Sequence, residues 1–329
     1  MRKRGIITGI IVVVCLLTSP IPRAKAAPKD VLNKCLDYIL KVQQPDGGWQ
    51  LIAGKGESEA ETTAWATRAL LLTKKDMAAA ERGISFILKH QNPNGSWNNN
   101  VAHTAFCIWT LAEANKGRDA IVKGVTWLWK TQKKDGGWGP SPKAPNLSIY
   151  TAVAIRALLA AGLPMDNLMI KKGVEYLMAV QNKDGGWGVP KGGRSLSLST
   201  AWAIYAMIEA GIPRYDDSIR KGIKWLLNVQ LDHNGGFCFF KLMPPDPELT
   251  AYSILALNAA SIRGKPIEDA LYYLEAVQLP DGAYMSRVPK EFKKRNKKNT
   301  QTTCFVAWAV WDTMLTEAEH RKLSFSPTR

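Results

Sequence analysis

The chain has 329 residues, 46% of them hydrophobic, with 44 Lys and Arg against 28 Asp and Glu and a formal net charge of +16. That length suits one large domain with a sizeable core. Past the first 26 residues, Cys35, Cys107, Cys238 and Cys304 show no paired spacing, which argues against a disulfide framework, and the basic excess comes with no recognition motif, which argues against nucleic acid.

The chain opens MRKRGIITGIIVVVCLLTSPIPRAKA, a basic start, an apolar stretch and a small-x-small end at Ala24-Lys25-Ala26. The pattern predicts a signal peptide over 1–26, cut after Ala26, with an uncleaved membrane anchor as the alternative. The expected location is therefore secreted, outside the cell. The next element is an amphipathic helical run that ends in KVQQPDGGW (Lys41–Trp49). That ending recurs as KHQNPNGSW (Lys89–Trp97), KTQKKDGGWG (Lys130–Gly139) and AVQNKDGGWG (Ala179–Gly188), then more weakly as NVQLDHNGGF (Asn228–Phe237) and AVQLPDGAY (Ala276–Tyr284). Its Gln falls at 43, 91, 132, 181, 230 and 278, a period that marks a repeat array.

Each copy is followed by a variable loop and a second, more apolar helix that begins at a Thr: Thr63, Thr104, Thr151, Thr200, Thr250 and Thr303. The first helix of each unit carries Lys and Glu on one face and suits an outer ring. The second is apolar nearly all round and suits a buried inner ring. Within the turn, Asp-Gly-Gly is expected to stop the outer helix, because Gly tolerates the left-handed conformation of a C-terminal cap. The Trp is expected to cover apolar surface between units, and the Gln to hydrogen-bond exposed backbone groups at the next helix end. These residues read as structural glue.

The six copies are similar to the QW motifs of squalene-hopene cyclases and other triterpene cyclases, and the helix-pair repeat resembles that of protein prenyltransferase β subunits. The resemblance covers nearly the whole of 27–329 and implies an all-α fold, a single (α/α)6 toroid domain of six inner and six outer helices around a central cavity. It specifies activity far less, since one fold hosts many functions. The loop RVPKEFKKRNKK, 287–298, precedes the sixth inner helix and holds seven Lys and Arg. It reads as a solvated loop or as a foot on an anionic membrane or cell-wall surface. A short tail follows over 321–329.

Function is expected at the long-loop end, where the inner helices present unpaired N–H groups. The residues placed there are Glu57, Glu59, Glu61, His103, Tyr150, Ser197, Ser199, Asp246, Glu248, Gln301 and Thr302. Triterpene cyclases carry D-x-D-D-T-A where this chain reads Asp246-Pro247-Glu248-Leu249-Thr250-Ala251. The resemblance thus implies Glu248 as the proton donor with Asp246 beside it, while Leu249 replaces the last acid. Helix capping and dipole pairing are the simpler reading of these carboxylates and of Glu59 and Glu61. The prenyltransferase zinc ligands are missing, and His103 with Cys107 is a pair without an evident third ligand. No metal and no cofactor are expected.

Aromatics on the inner helices, Trp65, Phe106, Trp109, Tyr150, Trp202, Tyr205, Tyr252, Phe305 and Trp308, suit the lining of an apolar ligand site or a filled core. The sequence therefore supports a secreted toroid that takes an apolar, isoprenoid-like small molecule, with terpene cyclisation as its chemistry if it is an enzyme. A non-catalytic extracellular binding module, like the toroid of cobalamin carriers, stands beside it. So does a carbohydrate-active toroid that uses Glu59 with Glu61 and Asp246 with Glu248 as acid and base. A bridge between Cys238 and Cys304 is a minor expectation.

Overall fold

The computed structural model describes residues 27–231, 233–286, 297–316 and 318–319. The leader, nearly all of the basic loop and the tail lie outside them. The outer helices are α1 (Pro28–Lys41), α3 (Met77–Lys89), α5 (Arg118–Thr131), α7 (Leu168–Ala179), α9 (Asp217–Asn228) and α11 (Lys265–Val277). The inner helices are α2 (Ala60–Thr73), α4 (Val101–Glu113), α6 (Ser148–Ala160), α8 (Ser197–Glu209), α10 (Pro247–Ala259) and α12 (Thr300–Thr313). Two strands of two residues each, β1 (Tyr284–Met285) and β2 (Lys298–Asn299), pair antiparallel before α12. Among the described residues no helix is long and apolar enough to cross a membrane.

The inner helices form a closed ring, each packed on the next, with α12 returning to α2. Each outer helix lies chiefly against the inner helix that precedes it, and α1 closes the outer ring against α12. Burial follows the composition. In α10 twelve residues from Pro247 to Asn258 are buried, whereas α9 buries Ile219, Gly222 and Leu226 and turns Lys221 and Lys224 outward.

The repeated turn joins neighbouring units through a fixed set of hydrogen bonds. Gln43 Nε2 donates to Gly47 O within its own turn and to Ala79 O in the first turn of α3, both at 3.0 Å. Gln91, Gln132, Gln181 and Gln230 do the same to Ala120, Met169, Ser218 and Pro266. Gln278 donates to Val31 O in α1 at 3.1 Å and so closes the ring. Trp49, Trp97, Trp138 and Trp187 are fully buried, and their Nε1 atoms donate to Ile39, Ile87, Leu128 and Leu177. In the sixth unit Tyr284 Oη donates to Leu274 O instead. The backbone N–H of each of these aromatics, and of Phe237, donates to the Thr hydroxyl that marks the following inner helix, from Thr63 to Thr303.

One expectation about the turn is corrected. Asp-Gly-Gly does not stop the helix: α1 ends at Lys41 with Val42 as its cap, and Gly47 lies beyond, at φ 86°. Asp46 accepts from Gly48 N and shapes the turn. Gly47 is required because a Cβ there would stand 2.7 Å from Arg82 O in α3. Glycine lets one unit's turn touch the next unit's backbone.

Candidate functional site

The long-loop end differs from expectation in one respect: five of the six inner-helix N-termini are partly covered, and α2 has no side-chain cap. Asn100, Asp246 and Asn299 cap α4, α10 and α12 with their side chains. Neighbouring long loops supply carbonyls to the first N–H groups, with Ser148 N donating to Val189 O and Ser197 N to Phe239 O.

Beneath this cover the structure brings several of the expected residues together. Glu248, at the start of α10, is buried, and each of its oxygens accepts a hydroxyl: Tyr252 Oη at 2.6 Å and Thr302 Oγ1 at 2.5 Å. Burial, followed by the charge of Asp246, pushes its carboxyl up to about 7 against the two hydroxyl bonds, and Glu61 adds to the rise. Asp246 serves as the α10 cap, accepting from Glu248 N at 2.8 Å, and Ser286 Oγ reaches it from after β1. On the other side of α12, Gln301 Nε2 donates to Glu61 at 3.2 Å, and His103 Nε2 lies 3.1 Å from the other Glu61 oxygen. The consecutive residues Gln301 and Thr302 thus bridge two carboxyl groups. Tyr150 lies near Glu61 and Asn100, and burial raises its hydroxyl. Ser199 is buried, and its hydroxyl has no hydrogen-bond partner among the described residues. Glu59 stands apart, preceding α2 without a side-chain cap bond.

Below the carboxyls lies an aromatic axis. Trp65 of α2 touches Phe305 and Phe106 at 4.2 and 4.5 Å between centroids and reaches Trp202, across the ring on α8, at 6.3 Å. Tyr252 links Glu248 to this stack, 4.5 Å from Phe305 and 5.6 Å from Trp202. The rings fill the middle of the toroid. A void lined by Ala201, Trp202, Tyr205, Tyr252, Leu255 and Trp308 measures about 10 Å³, room for one water at most, against roughly 300–1,000 Å³ for ligand pockets. The expected central cavity is in this state a packed core.

The far end of the axis carries charges that the sequence analysis missed. Arg68 of α2 makes a two-point pair with Glu113 of α4 at 2.7 and 2.9 Å. Arg156 of α6 pairs with Glu209 of α8 at 3.2 Å, and Asn258 donates to Asp312 at 2.8 Å. The two guanidinium carbons sit 4.3 and 4.5 Å from the Trp109 ring, and Arg68 also covers Trp308 at 4.1 Å. The signal was available as Arg and Glu inside otherwise apolar helices, where an unpaired charge would be costly.

Cys35, Cys107, Cys238 and Cys304 are free thiols, so the Cys238–Cys304 bridge is not formed. Burial pushes all four above the usual thiol range, Cys238 to about 11. They are therefore poor nucleophiles. Among the described residues no three His, Cys, Asp or Glu side chains converge as metal ligands.

Residues 5–108 and 107–196 match the squalene-hopene cyclase C-terminal domain, and 202–322 match the prenyltransferase alpha-alpha toroid domain. The chain is similar to a drimenyl diphosphate synthase from Streptomyces showdoensis, 28% identical over 165 residues, which is 44% of this chain and 31% of that enzyme. It thus spans less than a third of that relative's length. In structure it is similar to the type II terpene cyclase MstE from Scytonema in complex with geranylgeranyl dihydroxybenzoate, with a TM-score of 0.64, 14% identity and coverage of 88% of this chain and 98% of that one. A glycosidase solved with glucose matches equally well, with a TM-score of 0.66, 13% identity and coverage of 88% and 98%. At such identities the structural likeness speaks for the fold alone.

Proposed function

Because the chain belongs to the squalene-hopene cyclase and prenyltransferase toroid family, we propose that it binds an isoprenoid-like ligand against its aromatic axis and cyclises it, with Glu248 as the acid. The observation that carries this reading is the place of Glu248. It is a buried carboxyl raised to about 7, set where the aromatic stack meets the polar cover. A neutral carboxylic acid at the head of an apolar column can add its proton to a terminal alkene carbon. The ring faces of Tyr252, Phe305, Trp65 and Trp202 then stabilise the tertiary cation. The final cation loses a proton, so the reaction is an isomerisation and needs no co-reactant. The acid is weaker than an ordinary carboxyl, and the Tyr252 and Thr302 hydroxyls offset this by holding the carboxylate once the proton has left. Location outside the cell, proposed from the leader, and ligand entry from the long-loop end belong to the same reading.

Purified protein incubated with polyprenyl substrates of several chain lengths should yield cyclised isomers of unchanged mass, detected by chromatography with mass spectrometry. Glu248→Gln should abolish product while leaving the fold intact, and Asp246→Asn should cost less. A wild-type protein that binds these substrates but converts none of them refutes cyclisation. Leu249, standing where the resembled cyclases keep an acid, favours a second reading, a toroid that captures an apolar molecule without chemistry, and that outcome would select it.

A further inference from the structure

The fourth and fifth long loops are built to one design. Residues 188–195 and 238–245 have equal length, and each is closed by an isolated bridge, Gly188 to Ser195 and Cys238 to Pro245. At each tip a tight turn forms, with Gly193 N donating to Pro190 O at 3.0 Å and Met243 N to Phe240 O at 3.2 Å. The third position of the turn has positive φ in both, 72° at Gly192 and 77° at Leu242. Glycine is the residue this geometry asks for. The fifth loop instead places a leucine there, 92% exposed. A bulky side chain held in the left-handed region costs stability, and full exposure returns nothing in packing. The fourth loop shows that the fold can be made with glycine, so the leucine points to something outside the chain.

Its surroundings define the partner. Met243 follows Leu242 and Phe240 precedes it by two, both half-buried, and the guanidinium of Arg194 from the fourth loop lies 3.4 Å over the Phe240 ring. Lys191 and Lys241 occupy the same position in the two turns, and both are exposed. Residues 185–197 and 233–245 carry no Asp or Glu; Asp184 precedes the fourth loop, where it accepts from Ser195 at 2.7 Å, and Asp246 is the buried cap of α10. An apolar tip within a basic collar matches an anionic lipid surface: the apolar side chains enter the acyl boundary while Lys and Arg meet the phosphates.

We propose that Phe240–Met243, with Lys191, Arg194 and Lys241, is a docking surface for an anionic lipid bilayer. It does not depend on whether the axis takes a ligand. Hydrogen exchange of the full chain, read by mass spectrometry, tests it with phosphatidylglycerol/phosphatidylcholine vesicles and with phosphatidylcholine alone. Exchange at 239–243 and 191–194 should slow with the anionic vesicles and stay unchanged with the neutral ones. Leu242→Gly should keep or raise the melting temperature and weaken vesicle co-sedimentation about tenfold, as removing one inserted leucine requires. Lys241→Gln should weaken it about fivefold. The proposal is overturned if these loops gain no protection, or if both variants sediment like the wild type. It is also overturned if the loops are protected without vesicles in a concentration-dependent oligomer, which would make them a self-contact.

Discussion

Replacing Glu248 with Gln should remove a pH dependence of stability that its environment creates. The carboxyl is raised from 4.5 to about 7 on folding, chiefly by burial and then by Asp246. Between those values the folded chain holds a proton that the unfolded chain has lost. Unfolding then releases a proton, so stability falls as pH rises through this window. The full shift corresponds to about 3 kcal/mol, present below the lower value and lost by the upper one. Asp246 at the α10 cap, Glu61 on α2 and the hydroxyls of Tyr252 and Thr302 are the groups that face it. Gln keeps the volume and can serve both hydroxyls. Glu248→Gln should therefore be less sensitive than wild type between about pH 5 and about pH 8, and more stable at the upper end by about 3 kcal/mol. Urea midpoints of both proteins at the two pH values read this directly, and the difference isolates Glu248 from other titrating groups. Parallel pH dependences would show that Glu248 is not held protonated, and the acid proposed here would lose its basis.

Trp138→Ala and Trp187→Ala should each destabilise the fold by about 3–5 kcal/mol, as large-to-small core changes do, measured by denaturant unfolding; substrate binding below the transition should hardly change, since both rings lie between units. Gln278→Ala should cost about 1–3 kcal/mol by leaving seam carbonyls unpaired, and hydrogen exchange should rise first in α1, whose Val31 O it holds. Tyr252→Phe removes a hydroxyl that lowers the Glu248 pKa, so the window in which stability falls should move to higher pH; a move to lower pH would count against the assigned bond.

The periodicity made the architecture readable, because a Gln at a near-constant step and a Thr before each apolar run fix the number and order of helices. The Gln role was readable for the same reason, since such a side chain at a helix end has few other partners. Thr63 and its five equivalents were visible as landmarks but not as acceptors for the Trp N–H, because that contact depends on how the loop folds back. The turn glycine was misassigned for a related reason: Gly47 answers to Arg82 O in another unit, and local sequence carries no trace of that approach. At the site, Glu248 and Tyr252 were legible as candidates at helical spacing, but Thr302 joins them from 54 residues away.

The filled axis was the least legible feature. Whether a ring of inward aromatics leaves a channel depends on the tilt of rings on opposite helices, such as Trp65 and Trp202. The two ends of this column are held differently. At the far end Trp109 lies between two guanidinium groups, each paired with a carboxylate on the next helix. Moving it would expose buried charge, which is costly. At the long-loop end Tyr252 is held to Glu248 by one hydroxyl bond besides its ring contacts. A ligand that makes room for itself therefore does so from the Glu248 end. The proposed proton transfer needs that hydroxyl on the carboxylate left behind, so the ring has to shift while its bond to Glu248 stays made. On the reading proposed above, the axis opens by a turn of the Tyr252 ring about that bond, and the acid keeps both of its hydroxyl partners through the transfer.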